Sequence, residues 1–375
     1  MRISFQTLDG QSPDNWIEME CGRAIAELKK AICESRSLDS KIGLKFILGE
    51  QVLQEDMDLM SLKDSGIREG EELLVIKQKM STVVTASHDE TAKIWNVANG
   101  ECVQTLRGHS GALYSAAFSP DGGSVLTAPG DNTARIWSLS SGNCTQTLSG
   151  HSGALYSAVY SPDGRSALTA SCDSTAKIWN TASGKCIQTL SGHFLDVNSA
   201  VFSPDGNWVL TASDDSTAKI WNTANGKCVQ TLSAHSGALY SAVFSSDMCS
   251  VLTASCDNTA KIWNVASGQC IKTLSGHGGE VNSAVFSPDG GSVLTASDDC
   301  SAKIWNRASG RCVQTLSGHL GAVNSAAFSP DGCTVLTASD DGTAKIWSSV
   351  TGECIQTLFG HSGVVITAAF SSDGQ

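Results

Sequence analysis

No stretch of the 375-residue chain approaches the roughly 18 to 20 consecutive apolar residues that a membrane-spanning helix needs. A basic and then apolar secretory leader is also missing, because Met1 to Thr7 run straight into alternating, strand-like sequence. Basic charge is scarce: 25 Lys and Arg face 37 Asp and Glu, a net charge of −12. About −4 of this falls in residues 1–80 and about −8 in the remainder, so neither part invites nucleic acid or an anionic membrane as a partner. Cys-x-x-Cys pairs, a His-Glu-x-x-His helix, a phosphate-loop glycine pattern and EF-hand spacing are all lacking, and no metal or other cofactor is expected. These absences leave an intracellular protein, cytoplasmic or nuclear, with room for one large domain and one small one.

What the sequence does have is a period. Trp95, Trp137, Trp179, Trp221, Trp263, Trp305 and Trp347 are each 42 residues apart, and His109, His151, His193, His235, His277, His319 and His361 keep the same step. Within the third unit, Gly192-His193 precedes an alternating run at Val197–Phe202, a Ser-Pro-Asp-Gly turn, and a second run at Trp208–Ser213. Asp214-Asp215, a run ending at Trp221 and a last one at Lys227–Leu232 complete it. Four short strands separated by turn residues, repeated every 42 residues, predict a propeller of four-stranded blades.

This pattern resembles the WD-repeat family over residues 82–375. The Asp that commonly follows the Trp in that family is here Asn (Asn96, Asn180, Asn222, Asn264, Asn306) or Ser (Ser138, Ser348), a strand-end difference of small consequence. Residues 82–375 divide into seven whole units of 42 residues, so the expected fold is mainly β, a closed seven-bladed propeller. The chain enters at Thr82 in the second strand of a blade and its last strand, 365–370, is the first strand of a blade. The two are expected to pair, leaving no sheet open at the seam.

A repeated His, hydroxyl and Asp suggests hydrolase chemistry, but seven copies of one constellation argue for architecture. The family resemblance implies a hydrogen-bonded chain in each blade: His193, Thr211 or Ser213, Asp215 and Trp221 in the third. The remaining aspartates of the set are Asp89, Asp131, Asp173, Asp257, Asp299 and Asp341. No catalytic residue is assigned, and the expectation is a protein that is not an enzyme. Pro129 replaces the strand Ser in the first blade, which should weaken that blade locally. Seven cysteines (Cys102, Cys144, Cys186, Cys228, Cys270, Cys312, Cys354) repeat at one position, and buried reduced thiols are expected there.

Binding information should lie where the units disagree. Three such positions are, in the resemblance, the ones that line the top face around the central channel. They hold Tyr114, Tyr156, Asn198, Tyr240, Asn282 and Asn324; Asp196 and Glu280; and Asp214, Asp298 and Asp340, with Phe194 beside them. Aromatics anchor interfaces and clustered carboxylates select basic partners, so a Lys- or Arg-bearing peptide or loop is the expected ligand.

Residues 1–78 lack the 42-residue period and read as a small α+β unit, followed by a short linker, 79–81. Strands are expected at Ile3–Thr7, Trp16–Cys21, Leu44–Leu48 and Glu72–Lys77, with a helix from about Arg23 to Ser35. Met1–Gly10, Phe46–Gly49 and Leu59–Ile67 give a resemblance to ubiquitin-like (β-grasp) domains. By that resemblance Leu8, Ile47, Leu74 and Ile76 map onto ubiquitin's apolar patch, implying ubiquitin-pathway or proteasome-type partners. Half-buried strand packing accounts for the same four residues equally well. The whole then reads as a non-enzymatic adaptor, or as a general signalling platform unrelated to ubiquitin.

Overall fold

In the computed structural model, residues 82–371 are described in full and residues 2–78 through the backbone of five strands. Met1–Met80 and Ser81–Gln375 form two compact units. In the first, β1 (Arg2–Thr7), β2 (Trp16–Glu18), β3 (Gly43–Leu48), β4 (Gln51–Leu53) and β5 (Glu72–Gln78) make one sheet in the order β2-β1-β5-β3-β4. β1 and β5 run parallel and the other pairs antiparallel. Ile47 pairs with Leu74 and Lys45 with Ile76 across the β3–β5 ladder. Leu8 and the helix expected near Arg23–Ser35 lie outside the described residues.

The second unit is a ring of seven four-stranded antiparallel sheets. Blade 1 starts at Leu113–Phe118 and blade 6 ends at Cys354–Leu358. Blade 7 is built from both ends of the ring, because Val365–Phe370 pairs with Thr82–Ser87, which continues into Ala92–Asn96 and Cys102–Leu106.

Burial explains why each run takes its place. The second strand, for example Trp208–Ser213, is covered on both faces by neighbouring blades and is buried along almost its whole length. The third strand buries both faces: Ala218 and Ile220 pack into the junction of blades 3 and 4, Trp221 from the opposite face into that of blades 2 and 3, and Lys219 is half-exposed. Between blades 3 and 4 the core is Leu210, Ala212, Ile220, Leu232, Leu239 and Val251 capped by the Trp263 indole, and each junction repeats it. A buried indole or leucine contributes about 1.5–3 kcal/mol, so each seam is held mostly by apolar burial.

Two bulges recur in each blade. The first-to-second strand register slips so that Asn198 in blade 3, and Tyr114, Tyr156, Tyr240, Asn282, Asn324 and Ile366 elsewhere, have no ladder partner. The outer strand slips one residue after its cysteine, so Ile187, Val229, Ile271, Val313 and Ile355 bulge outward and are more than half exposed.

That second bulge corrects the expectation of buried thiols. Cys102, Cys144, Cys186, Cys228, Cys312 and Cys354 are exposed and Cys270 half-buried, all of them free. They begin the outermost strand, where only the leucine near its end, such as Leu232, turns to the core. Each thiol instead rests over its own strand, Cys228 Sγ lying 3.8 Å from Thr231 Oγ1.

Candidate protein-binding face

The Gly-His loops and the second-to-third strand turns share one end of the ring, here called the top. In blade 3, His193 Nδ1 donates to Asp215 Oδ2 at 2.7 Å, and His193 Nε2 lies 2.7 Å from Thr211 Oγ1. The same hydroxyl accepts the Trp221 indole N–H at 2.8 Å. Thr211, not Ser213, is therefore the hydroxyl of the network; Ser213 Oγ accepts from Asp215 N at 3.1 Å and secures the turn. Asp215 also accepts from Thr217 N (3.0 Å), Thr217 Oγ1 (2.6 Å) and Phe194 N (3.2 Å). Across the blade 7 seam, His361 bonds Asp89 and Thr85, and Trp95 donates to Thr85. The order Asp, His, hydroxyl is that of a hydrolase relay, yet Thr211 is 0% exposed and no substrate reaches it.

Blade 1 differs. Pro129 supplies no hydroxyl to its turn, and His109 Nδ1 stands 3.6 Å from Asp131 Oδ2, too far for a hydrogen bond. His109 Nδ1, Asp131 Oδ2 and Arg135 Nε are buried without hydrogen-bond partners, while an Arg135 terminal nitrogen sits 3.5 Å from Asp131.

Burial pushes the network histidines below their ordinary value against the opposing pull of the aspartates, as for His193 beside Asp215. His109 falls to about 4, because burial and the Arg135 charge act together. Burial would raise the aspartates, but hydrogen bonds from Thr or Ser, from a backbone N–H and from His outweigh it, holding Asp299 and Asp341 at about 2.

A histidine depressed in the folded state binds its proton more readily when unfolded. Its contribution is complete above the unfolded value of 6.5 and is lost as pH falls through the window below it, toward about 4 at His109. The aspartates extend the loss from 3.8 toward about 2. Each histidine costs up to about 1.4 kcal/mol per pH unit in its window, all in the same direction. The denaturant midpoint is expected to be clearly lower at pH 5 than at pH 7.5, and a flat profile would contradict the buried neutral imidazoles.

The variable top positions are coupled from blade to blade. The first-strand bulge frees its extra residue from the ladder to reach a neighbouring blade. Where that residue is Asn, it bonds the aspartate of its own blade and a carbonyl of the next. Asn198 Nδ2 donates to Asp214 (2.6 Å) and Leu239 O (3.0 Å), Asn282 to Asp298 (2.7 Å) and Val323 O (3.1 Å), and Asn324 to Asp340 (2.8 Å) and Val365 O (3.0 Å).

Where the extra residue is Tyr, the partner position is small, Gly130, Cys172 or Cys256. Tyr156 reaches Asp196 at 3.2 Å and Tyr240 reaches Glu280 at 2.6 Å, each in the following blade. Burial, aided by Asp196, pushes the Tyr156 phenol up to about 12, so it stays a donor. Burial and Glu280 likewise raise the Cys256 thiol, which is no reactive thiolate. Tyr114 packs edge-on between His88 and Tyr156, with centroids 5.4 Å away on either side.

The variable positions thus carry two kinds of group. Blades 1, 2 and 4 offer the tyrosine rings, and blades 3, 5 and 6 carry Asp196, Asp214, Glu280, Asp298 and Asp340, with no Lys or Arg at any of the three variable positions. Asp298 and Asp340 are exposed and the other three half-buried. Phe194 is 87% exposed, and so is Leu320, at 93%, which holds the same loop position in blade 6. Leu320, and the exposed Leu195 that follows Phe194, are absent from the sequence-based site, although comparing the residue after each repeat histidine finds Leu320 at once. Among the described residues, no His, Cys, Asp and Glu cluster is arranged to hold a metal ion, and no helix is long and apolar enough to cross a membrane.

Short stretches are similar to curated proteins. They are 48% identical over 40 residues to F-box-like/WD repeat-containing protein TBL1X of Mus musculus, covering 11% of this chain and 8% of that protein. Identity is 64% over 31 residues with WD repeat-containing protein 86 of Homo sapiens, 8% of each. It is 44% over 43 residues with nuclear distribution protein PAC1 of Mycosarcoma maydis, 12% and 10% respectively. The matched stretches thus span a tenth or less of those relatives' length. The family described as WD domain, G-beta repeat matches residues 100–138, 142–180, 184–222, 226–264, 268–306, 310–348 and 352–375. With that match running over most of the chain and the blades it outlines closed into one ring, the chain belongs to the WD40 repeat family.

Proposed function

We propose that this protein is a non-enzymatic interaction scaffold whose propeller holds a basic segment of a partner protein on its top face. The observation that carries this reading is the set of five carboxylates on blades 3, 5 and 6, on either side of Tyr240 and flanked by exposed Phe194 and Leu320. A Lys or Arg side chain lying across this face meets carboxylates whose hydrogen bonds to Asn or Tyr fix them in place without removing their charge. Asp214→Asn and Asp298→Asn remove the charge and keep the ties to Asn198 and Asn282, whereas Tyr240→Phe releases Glu280. Asp214→Asn, Asp298→Asn and Tyr240→Phe together are expected to weaken capture of Lys/Arg-rich peptides by about 100-fold at low salt. Capture at the wild-type level by the folded triple variant would defeat the assignment.

The N-terminal unit supplies the second half of the proposal, a ubiquitin-like module that recruits ubiquitin-pathway or proteasome-type partners. Support comes from the order β2-β1-β5-β3-β4 with its parallel central pair, and from Ile47 lying opposite Leu74. In the full chain, Ile47→Ala is expected to weaken binding to proteasome receptors and ubiquitin-binding domains by about tenfold. Absence of binding by the parent chain would favour a general assembly platform instead.

A further inference from the structure

The opposite, bottom end of the ring carries the Ser-Pro-Asp-Gly turns, with a groove between each pair of neighbouring blades. One groove is filled from within. Arg307, just after the third strand of blade 5, lies in the groove between blades 4 and 5. Its guanidinium sits 4.9 Å over the Phe286 ring and donates to Ser250 Oγ at 2.9 Å and Gly290 O at 3.2 Å, with Asp247 at 3.9 Å. A ring face, a hydroxyl, a carbonyl and a carboxylate therefore converge on one planar cation.

Forty-two residues further on, each acceptor has its counterpart: Phe328, Ser292, Gly332 and Asp289 all line the groove between blades 5 and 6. The position of Arg307 is there taken by Ser349. Its short side chain turns back onto Gly332 O (2.8 Å) and Cys333 O (2.9 Å) and leaves a cavity of about 210 Å³. Asp331 adds a second carboxylate, and no Lys or Arg lines the cavity. Ser287 Oγ and Gly291 N hold the Asp289 carboxyl below its ordinary range, so it is charged at neutral pH. A similar groove between blades 1 and 2 contains Arg165, whose charge opposes a second cation.

We propose that the bottom groove between blades 5 and 6 is a receptor site for the guanidinium of an arginine side chain presented by a partner protein. Blade 5 shows the occupied form within the same molecule, because Arg307 does from inside what the partner's arginine does from outside. Carbonyl oxygens carry two lone pairs, so Gly332 O keeps an acceptor site beside the Ser349 bond. The site is on the face opposite the five carboxylates and does not depend on them.

The test uses amide resonances of the full chain titrated with N-acetyl-arginine methylamide. The Gly332 and Cys333 signals are expected to shift saturably below about 50 mM, as befits a single unlinked side chain. N-acetyl-lysine methylamide, without the planar fork, should bind about fivefold more weakly or worse. Ser349→Arg supplies the cation in cis and should abolish the shifts, while Arg307→Ser empties the neighbouring groove and should create saturable shifts at Gly290 and Gly291. Free L-arginine should bind no better than the capped form, since its carboxylate meets Asp331. The proposal is overturned by unsaturable shifts at Gly332 and Cys333, by equal affinity for the lysine probe, by unchanged binding in a cooperatively folding Ser349→Arg variant, or by no gain of shifts in Arg307→Ser. Tighter binding of free arginine would also overturn it, assigning the groove to a small molecule.

Discussion

Deletion of residues 365–375 is expected to lower the melting temperature by about 10 °C or more and to expose Thr82–Asn96 to proteolysis. The strand it removes supplies Val365 and Ala368, buried at 0% and 4% exposure, to the seam cluster with Leu336, Ile346 and Trp95. It also pairs with Thr82–Ser87, and Val365 O accepts Asn324 Nδ2 at 3.0 Å from blade 6. Apolar burial alone accounts for about 5 kcal/mol at about 1.5–3 kcal/mol for each large side chain, before the ladder bonds are counted. Loss of the strand leaves Thr82–Ser87 as a bare sheet edge next to an open junction. A truncated chain that unfolded cooperatively at the full-length temperature would show that the seam contributes nothing.

Asp215→Ala is expected to cost about 3–5 kcal/mol, against about 1–2 kcal/mol for Asp131→Ala at the same place in blade 1. Removing Asp215 leaves His193 Nδ1, Phe194 N, Thr217 N and Thr217 Oγ1 without their acceptor, and both His193 and Thr217 are tied into the same turn. Asp131 has already lost the histidine, 3.6 Å away, and keeps its bonds to Thr133 at 3.1 and 2.6 Å and a looser ion pair with Arg135 at 3.5 Å. The reverse change has the opposite sign. Pro129→Ser returns the hydroxyl that Ser213 uses to hold Asp215 N, and should stabilise the protein by about 1 kcal/mol. Equilibrium denaturation of the three variants side by side checks the order, and equal costs at Asp215 and Asp131 would refute the idea that blade 1 is incompletely tied.

The repeat was legible because each blade meets the same surroundings. Trp221 and His193 recur every 42 residues since each interblade seam needs the same indole and the same loop tie. Periodicity shows which residues are equivalent and does not show how far a position is covered. Cys228 and its counterparts repeat as faithfully as Trp221 yet are largely exposed, because a strand at the rim has a neighbour on one side only. Nor does a period separate Thr211 from Ser213, two residues apart on one strand; their roles follow from the pleat and the turn that comes next.

At the top face, internal comparison found the positions that differ and missed why they differ together. Asp196 and Glu280 stand where they do because the preceding blade offers Tyr156 and Tyr240, a dependence across 40 residues that no single unit contains. Arg307 was equally hidden. Its charge is visible in the sequence, but the ring and acceptors it meets belong to two different blades.

A ring of sheets has one drawback that the outer strands answer. Every blade ends in an unpaired edge bearing a free thiol, and most also carry an exposed β-branched side chain, as in Cys186-Ile187 and Cys354-Ile355. Straight edges of that composition would template sheet growth between molecules at high concentration. The bulge one residue past each cysteine kinks the edge where a foreign strand would have to lie flat. Colloidal dispersal is thus written into the blade itself: a preparation of this protein should tolerate crowding as long as the kinks stay, and straightening them by deleting the bulged residue would turn the rim into a seed for fibres.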